Sequence, residues 1–293
     1  MNGLSRHWMW ATALVAAVSG AAQAQTQTQY DEDNGRLELP LWELGIGLTG
    51  RQTAEYPGSS DYATRVVAFP YIAYRGKFLE IGEQETLRFI PFQTERFELA
   101  FSFDGNSAVE RRSTELQGAL PDLDALVEFG PEFIWRAAEI DPVFGDRTLG
   151  RVELALQTRG AFSVGWPPEY EGFVVRPVLR YRQNGALKPG SRVEAAIGPL
   201  FGTQGINEYF YAVDDSNGGG YKASQGYMGT EITASIRYPV SRRVRLIGGV
   251  GLGILSGAVS EDSPLFESNF SASGYIGFTA SIFQSKRQAL KDR

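Results

Sequence analysis

Residues 226–283 alternate, residue by residue, over three long runs. In the first, Met228, Thr230, Ile232, Ala234, Ile236 and Tyr238 share one face, and Gly229, Glu231, Thr233, Ser235 and Arg237 share the other. After a connection over 239–242, Val244, Leu246, Gly248, Val250, Leu252 and Ile254 continue the apolar face opposite Arg243, Arg245, Gly249, Gly251 and Gly253. Phe270, Ala272, Gly274, Ile276, Phe278, Ala280 and Ile282 then alternate with Ser271, Ser273, Tyr275, Gly277, Thr279 and Ser281. A period of two means β-strands with one apolar face and one small or polar face.

These runs extend for about 11 to 14 residues, whereas strands of soluble proteins average about five or six. A strand tilted at about 45° crosses a bilayer in about 9 to 11 residues. Backbone groups in hydrocarbon must be paired within the protein, so strands span only as a closed barrel. The expected fold class is all-β: a transmembrane antiparallel up-and-down β-barrel, with the small and charged face lining the lumen.

At the other end of the chain, Arg6 precedes an apolar stretch over 8–18, and Ala22, Gln23 and Ala24 provide small residues for cleavage. That pattern predicts a secretory signal peptide over 1–24, too short for a membrane anchor. Its removal takes away Arg6 and the only histidine, His7, and shifts the net charge from −6 to −7. An acidic mature chain argues against a nucleic-acid partner. Cysteine is absent, and histidine is absent after cleavage. Ser-His and Cys-His nucleophiles and His- or Cys-bearing zinc sites are therefore excluded in the mature chain. No cofactor is expected.

Further strands are predicted over 42–49, 63–74, 95–103, 125–136, 150–162, 172–182, 192–201 and 206–213, with one long or two short ones over 77–92. The total is about 12, within a range of about 10 to 14. The second strand, which carries Pro70, has bulky groups on both faces, so its parity leaves the lipid face open. Residues 25–36 read as a flexible periplasmic leader, 37–283 as the barrel and 284–293 as a polar tail. The long connections at 184–190, 214–225 and 257–268 are expected outside and the short ones at 202–205 and 239–242 in the periplasm. Two tight turns in succession, at 75–76 and 93–95, do not fit that rule. Trp42, Trp135, Tyr181, Tyr227 and Tyr238 fall near strand ends, where aromatic girdles form.

Against this pattern, Tyr56, Pro57, Gly58, Ser59, Ser60, Asp61 and Tyr62 follow a Gly-rich first strand, and Phe69, Pro70 and Tyr71 lie on the second. Residues 120–125, 209–213 and Asp262, Ser263, Pro264 and Leu265 follow in order. The ordered series, spanning the mature chain, resembles the MipA/OmpV family of MltA-interacting outer-membrane proteins. The resemblance implies a barrel in the outer membrane of a Gram-negative bacterium, in contact with its lipid. For some members it implies a scaffold joining a lytic transglycosylase to a peptidoglycan synthase, for others a porin-like or adhesive role. Such proteins commonly end on an aromatic residue of the last strand. Here 284–293 extend past Phe283, whose parity is opposite to that of Ile276, Phe278, Ala280 and Ile282.

Candidate contact residues are Tyr56, Pro57, Gly58, Asp61 and Tyr62 in one loop and Asp262, Ser263 and Pro264 in another. Each loop binds a partner or ligand, or only shapes itself, since Pro57 and Gly58 are a good turn pair and Asp61 can satisfy loop amides. The run Asp214, Asp215, Ser216, Asn217, Gly218 lacks the ligand alternation and closing Glu of a calcium loop. The glycines of 249–253 lie inside a strand with no helix following, without the context of a nucleotide fingerprint. Candidate lumen charges are Glu128, Glu132, Arg151, Arg176, Arg180, Arg182, Glu231 and Arg237. Paired across the barrel, they would fill the bore, as suits a scaffold; an arginine ladder on one side would suit a channel. A carboxylate pair such as Glu128 and Glu132 would need split pKa values and a cleft to act as an enzyme. A non-enzymatic scaffold is the leading expectation, with a small-solute channel or an adhesin as alternatives.

Overall fold

The computed structural model describes residues 30–31, 36–37, 39–82, 87–106, 123–145, 148–213 and 220–289. The signal peptide, most of the leader, the 214–218 run and residues 120–122 of the family pattern lie outside the described residues. A short ladder of β1 (Tyr30–Asp31) and β2 (Arg36–Leu37) stands apart from the main sheet.

The main sheet is a closed barrel of 12 antiparallel strands, each paired with its neighbours in sequence. It runs through β3 (Trp42–Ala54), β4 (Tyr62–Arg75), β5 (Leu79–Ile81), β6 (Leu87–Gln93), β7 (Phe97–Asn106) and β8 (Leu126–Ile140). It continues through β9 (Gly150–Ser163), β10 (Glu169–Asn184), β11 (Arg192–Gly202), β12 (Gly226–Pro239), β13 (Val244–Ile254) and β14 (Phe270–Gln284). β14 pairs with β3 and closes the ring. The expected count of about 12 is therefore met, though one strand differs. Residues 77–92 form two short strands, one of the two readings open for them, and 206–213 form none.

Gln204–Tyr211 is instead a helix, α1. Read with period two, its apolar and polar residues mix on both faces. Its buried residues are Ile206, Asn207, Phe210 and Tyr211, spaced as one face of a helix. Losing that strand changes which end each upstream connection occupies. The described segments flanking the barrel, 39–41 and 285–289, and the turns at 76–78, 94–96, 141–149, 185–191 and 240–243 share one end. The connections at 55–61, 107–125, 203–225 and 255–269 share the other, together with the short one at 164–168. The connection at 184–190, expected outside, thus joins the short-turn end. The two tight turns near 75 and 94 also lie at that one end, because β5 and β6 intervene. Short turns mark the periplasmic end and long loops the outer one.

Alternation places side chains as the pattern requires. Ile232, Ile236, Leu246, Val250, Leu252 and Ile276 point outward and are exposed. On β4 the face left open resolves: Tyr71, Ala73 and Arg75 are buried inward, while Val66 and Ile72 face out. Two departures from strict parity have the same physical cause. A β-bulge between Ser281 and Phe283 places Phe283 opposite Leu44, and both Ile282 and Phe283 are exposed. Phe283 therefore faces lipid despite its odd parity. A second register shift on the β11–β12 pair, beside Gly229 at φ 136°, buries Met228, which was expected on the outer face.

Candidate functional site

Alternation on nine of the strands sends charged side chains inward, where they form two ion-paired clusters. Glu132 of β8 is almost fully buried and accepts hydrogen bonds from Gln157 of β9 at 2.9 Å and Arg180 of β10 at 3.1 Å. Arg88 of β6 approaches Glu132 to 3.5 Å and donates to Glu98 of β7 at 2.7 Å. Glu98 also accepts from Arg136. Arg180 lies 3.7 Å from Glu153 and 3.5 Å from Glu194, and Arg182 lies 3.6 Å and 2.9 Å from the same two carboxylates. The second cluster centres on Glu43 of β3, which accepts two bonds from Arg245 of β13, at 2.7 and 2.8 Å. Arg75 of β4 lies 2.8 Å from the same carboxylate, and Ser281 of β14 donates to it.

Burial on this scale demands such pairing. A carboxylate inside a barrel loses its hydration, and only matched arginines and hydrogen-bond donors offset that loss. Arg180 and Arg182 therefore belong to a network of both signs. Arg176 pairs with Glu231 of β12 at 2.6 Å, closer to the long-loop end. Glu128 lines a cavity there, Arg237 lines a different one, and Arg151 sits at the short-turn rim, 3.6 Å from Glu139. Arg243, read as inward, lies exposed in the 240–243 turn. Glu128 and Glu132 are not brought together as an acid/base pair, because Glu132 is held by Gln157, Arg180 and Arg88. Arg75 and Arg88 escaped the sequence reading. The pattern leaves the face of β4 undetermined, and 77–92 reads as one long strand or two short ones with no face assigned.

At the long-loop end the described residues form a small hydrophobic core that caps part of the lumen. Ile206, Phe210 and Tyr211 of α1 pack against the inward residues Leu126, Ala161 and Val174 and against Met228 and Leu265. Asn207, fully buried, donates to Ser224 O at 2.9 Å and ties the helix to the following loop. Both candidate loops join this cap. Tyr56 is buried, its hydroxyl donates to Leu265 O at 2.8 Å, and its ring meets that of Tyr211 edge-on at 6.5 Å. Tyr211 donates to Pro57 O at 2.7 Å, and Ser263 Oγ donates to Tyr211 O at 2.9 Å. Gly58 O accepts from the amides of Glu267 and Ser268, both at 2.9 Å. Gly58 adopts φ 87°, and a Cβ there would stand 2.9 Å from the Phe266 ring. Asp61 closes its own loop, its amide bonded to Ser59 Oγ at 3.1 Å, and Tyr62 accepts from the Ala272 amide at 3.1 Å. Asp262 and Pro264 are exposed.

Burial pushes the Tyr211 phenol above its ordinary pKa, so it stays a donor to Pro57 at any physiological pH. Tyr211→Phe deletes that donor and leaves Pro57 O unsatisfied. It is expected to destabilise the cap by about 1 kcal/mol, read as faster proteolysis of residues 203–225 in folded protein. Unchanged proteolysis would show that the loops hold together without this bond. Beneath the cap lies a cavity of about 400 Å³ lined by Arg51, Arg65, Arg176, Glu128 and Glu231 among others.

Solved structures similar to this chain include OprB of Pseudomonas putida, at 8% identity, covering 82% of this chain and 94% of that one with a TM-score of 0.34. Outer membrane phospholipase A from Escherichia coli matches at 11% identity over 83% and 94%, with a TM-score of 0.32. OprG from Pseudomonas aeruginosa matches at 8% identity over 82% and 94%, with a TM-score of 0.23. Among curated proteins there is no match. The family described as MltA-interacting protein MipA matches residues 46–281, from the first strand of the barrel to the last. This outer-membrane barrel belongs to the MipA family.

Proposed function

We propose that the protein is a non-enzymatic scaffold of the outer membrane that docks a periplasmic lytic transglycosylase, and through it a peptidoglycan synthase, on its short-turn end. The observation that carries this reading is the surface of that end. Phe78, Val143, Phe144, Leu149, Leu187 and Val240, from four different turns, are all exposed there. Exposed apolar side chains gathered at one end of a protein mark an interaction surface. The surface is held in shape: Gln183 donates to Phe144 O at 2.7 Å and Thr148 O at 3.0 Å, and accepts from the Phe144 amide at 3.1 Å.

Two further observations support docking over conduction. The charges of the mid-lumen are matched in sign across the barrel, and the long-loop end is capped by apolar side chains. The family's own description names an MltA partner. The peptide on either side of the barrel also meets at the docking end, where Pro40 bridges Gln288 and the Ala289 amide donates to Leu39 O at 2.9 Å. A leader cleaved near Ala24 would start the mature chain on that side.

The test is capture of a purified MltA-type lytic transglycosylase by folded protein in nanodiscs. Wild type is expected to retain it. The triple variant Phe78→Ser, Val143→Ser, Phe144→Ser is expected to lose at least about tenfold in affinity, the size of one buried interface anchor. Equal retention by the two would move the contact elsewhere. No capture, together with discrete conductance of the wild type in planar bilayers, would replace the scaffold with a channel.

A further inference from the structure

One wall of the cavity beneath the cap is built from small side chains. Gly251 and Gly253 of β13 face inward there, beside Ser273 and Ser271 of β14. Each serine leans over its glycine. A Cβ on Gly251 would stand 2.5 Å from Ser273 Oγ, and one on Gly253 would overlap Ser271 Oγ. The missing side chains leave a hollow, and the cavity of about 400 Å³ extends into it. Its edges are Glu231 of β12 on one side and Thr53 and Arg51 of β3 on the other. These four strands are described along their whole length.

The charges round the hollow are unevenly matched. Arg176 is held by Glu231, and Arg65, Arg159, Glu55 and Glu128 on the same cavity each have partners. Arg51 has no ion pair or hydrogen bond from its side chain among the described residues. It points into the barrel beside Tyr275 of β14, yet it is exposed, as are Tyr275 and Ser273. The lumen at this wall is therefore open to water. The hydroxyls of Thr53, Ser271 and Ser273 likewise make no hydrogen bond among the described residues. Asp124, the other lining charge without an ion pair among the described residues, precedes β8 and so lies across the barrel from Arg51. Above the hollow the lining turns apolar, with Phe210 and Met228 of the cap and Leu255.

From this arrangement we infer that the cavity binds a small amphipathic monocarboxylate, with its carboxylate on Arg51 and its apolar body under the cap. A guanidinium offers a carboxylate two parallel N–H donors, and the neighbouring hydroxyls can donate to its remaining lone pairs. Inside a protein wall that attraction is weakened less than in bulk water. The apolar body displaces water from Phe210, Met228 and Leu255. An inorganic anion would gain the polar contacts alone. A cavity of this volume suits one small molecule. The site lies inside the barrel and does not depend on the docking surface at the short-turn end.

The probe is para-fluorohydrocinnamate, titrated into folded protein in nanodiscs and into empty nanodiscs, with fluorine NMR line width as the readout. Broadening above that of empty nanodiscs is expected to saturate, with half-saturation at about 1 mM or tighter, as suits a ligand of this size. Unlabelled hydrocinnamate should displace the probe at least about tenfold better than its neutral amide or acetate does, the loss expected for a charge-assisted contact or for the apolar body. Arg51→Gln should weaken binding by a similar factor and still fold, since it strands no partner. Gly253→Val fills the hollow and asks only that Ser271 Oγ turn away, so it should fold and lose saturable binding. The triple variant of the docking surface should bind the probe as wild type does. Broadening that is absent, or no greater than in empty nanodiscs, overturns the site. Equal displacement by the amide overturns the carboxylate assignment, and equal displacement by acetate overturns the amphipathic one. Both comparisons use the native chain, so they hold even if a variant does not fold. Unchanged binding in folded Arg51→Gln or folded Gly253→Val overturns the placement in the hollow. Loss in the docking-surface variant would put the ligand at the short-turn end and overturn it as well.

Discussion

Glu132→Ala is expected to lower the stability of the folded barrel by about 3–5 kcal/mol, the cost of removing one partner from a buried charge network. Glu132 is almost fully buried, and Arg180, Arg88 and Gln157 converge on it from β10, β6 and β9. Truncation leaves two guanidinium groups in the lumen without the carboxylate they share. The pair's formation need not be strongly stabilising for this to hold, because the loss comes from stranding the survivors. Glu231→Ala is the contrast: Glu231 binds Arg176 at 2.6 Å, but its side chain is 38% exposed. Water replaces that partner, and the loss should be about 1 kcal/mol or less. Urea unfolding of both variants in the same detergent measures the difference. Equal losses would mean that the lumen is hydrated at both levels and that the layer around Glu132 does not fill the bore. The same Glu132→Ala protein should also show an anion-biased leak in planar bilayers, since the layer's charge becomes more positive by one.

The barrel was legible in the sequence wherever one face met lipid and the other met the lumen. On β12 to β14 that contrast is sharp, and the outward set from Ile232 to Ile276 followed from period two alone. On β4 the contrast fails for a structural reason. Phe69 and Tyr71 point inward but are as bulky as the lipid-facing residues, because Phe69 packs over Gly47 and the Tyr71 hydroxyl lies 3.4 Å from Arg245. A large side chain inside a barrel is compensated by a glycine on the neighbouring strand. Only the register between strands shows which glycine that is.

The α1 segment was misread because an eight-residue amphipathic helix and a short strand both offer buried aromatics at close spacing. Ile206, Phe210 and Tyr211 keep the helical period, but the mixed Asn207, Glu208 and Tyr209 between them hide it. That one error displaced the 184–190 connection to the wrong end. The individual lumen charges were partly legible, since Glu132, Arg180 and Arg245 are buried inward. Their partners were not. Arg245 meets Glu43 across a sequence separation of 202 residues, and such a contact is defined by barrel closure. The two candidate loops were legible as separate motifs, and their meeting through Tyr56, Tyr211 and Leu265 was not, for the same reason.

Closure depends on close backbone approach at the last seam, where Gly45 and Gly277 each face backbone of the other strand. Gly45→Val is expected to abolish the folded, membrane-inserted state. β14 and β3 form the last seam, where Ser281 opposes Gly45 immediately before the bulge. A Cβ on Gly45 would overlap Ala280 O and stand 2.8 Å from Ala280 C and 2.9 Å from Ser281 Cα. These are backbone atoms of the partner strand, so no rotamer change relieves the clash and the strands must part. Parting them unpairs backbone groups in a place where lipid supplies no substitute, at several kcal/mol for each group. It also pulls Ser281 from Glu43, whose carboxylate anchors Arg245 and Arg75 on the two flanking strands. At Gly50, five residues along the same strand, an added Cβ meets no atom nearer than 4.0 Å, and valine suits a strand better than glycine does. Gly50→Val should fold as well as wild type. Heat-modifiable migration on gels separates the outcomes: a compact unboiled band for wild type and Gly50→Val, and none for Gly45→Val. A compact band for Gly45→Val would show that the seam can open by a strand's width of backbone without loss of the barrel. The bulge beside Phe283 would then be a point of give in the wall, not the position at which its register is fixed.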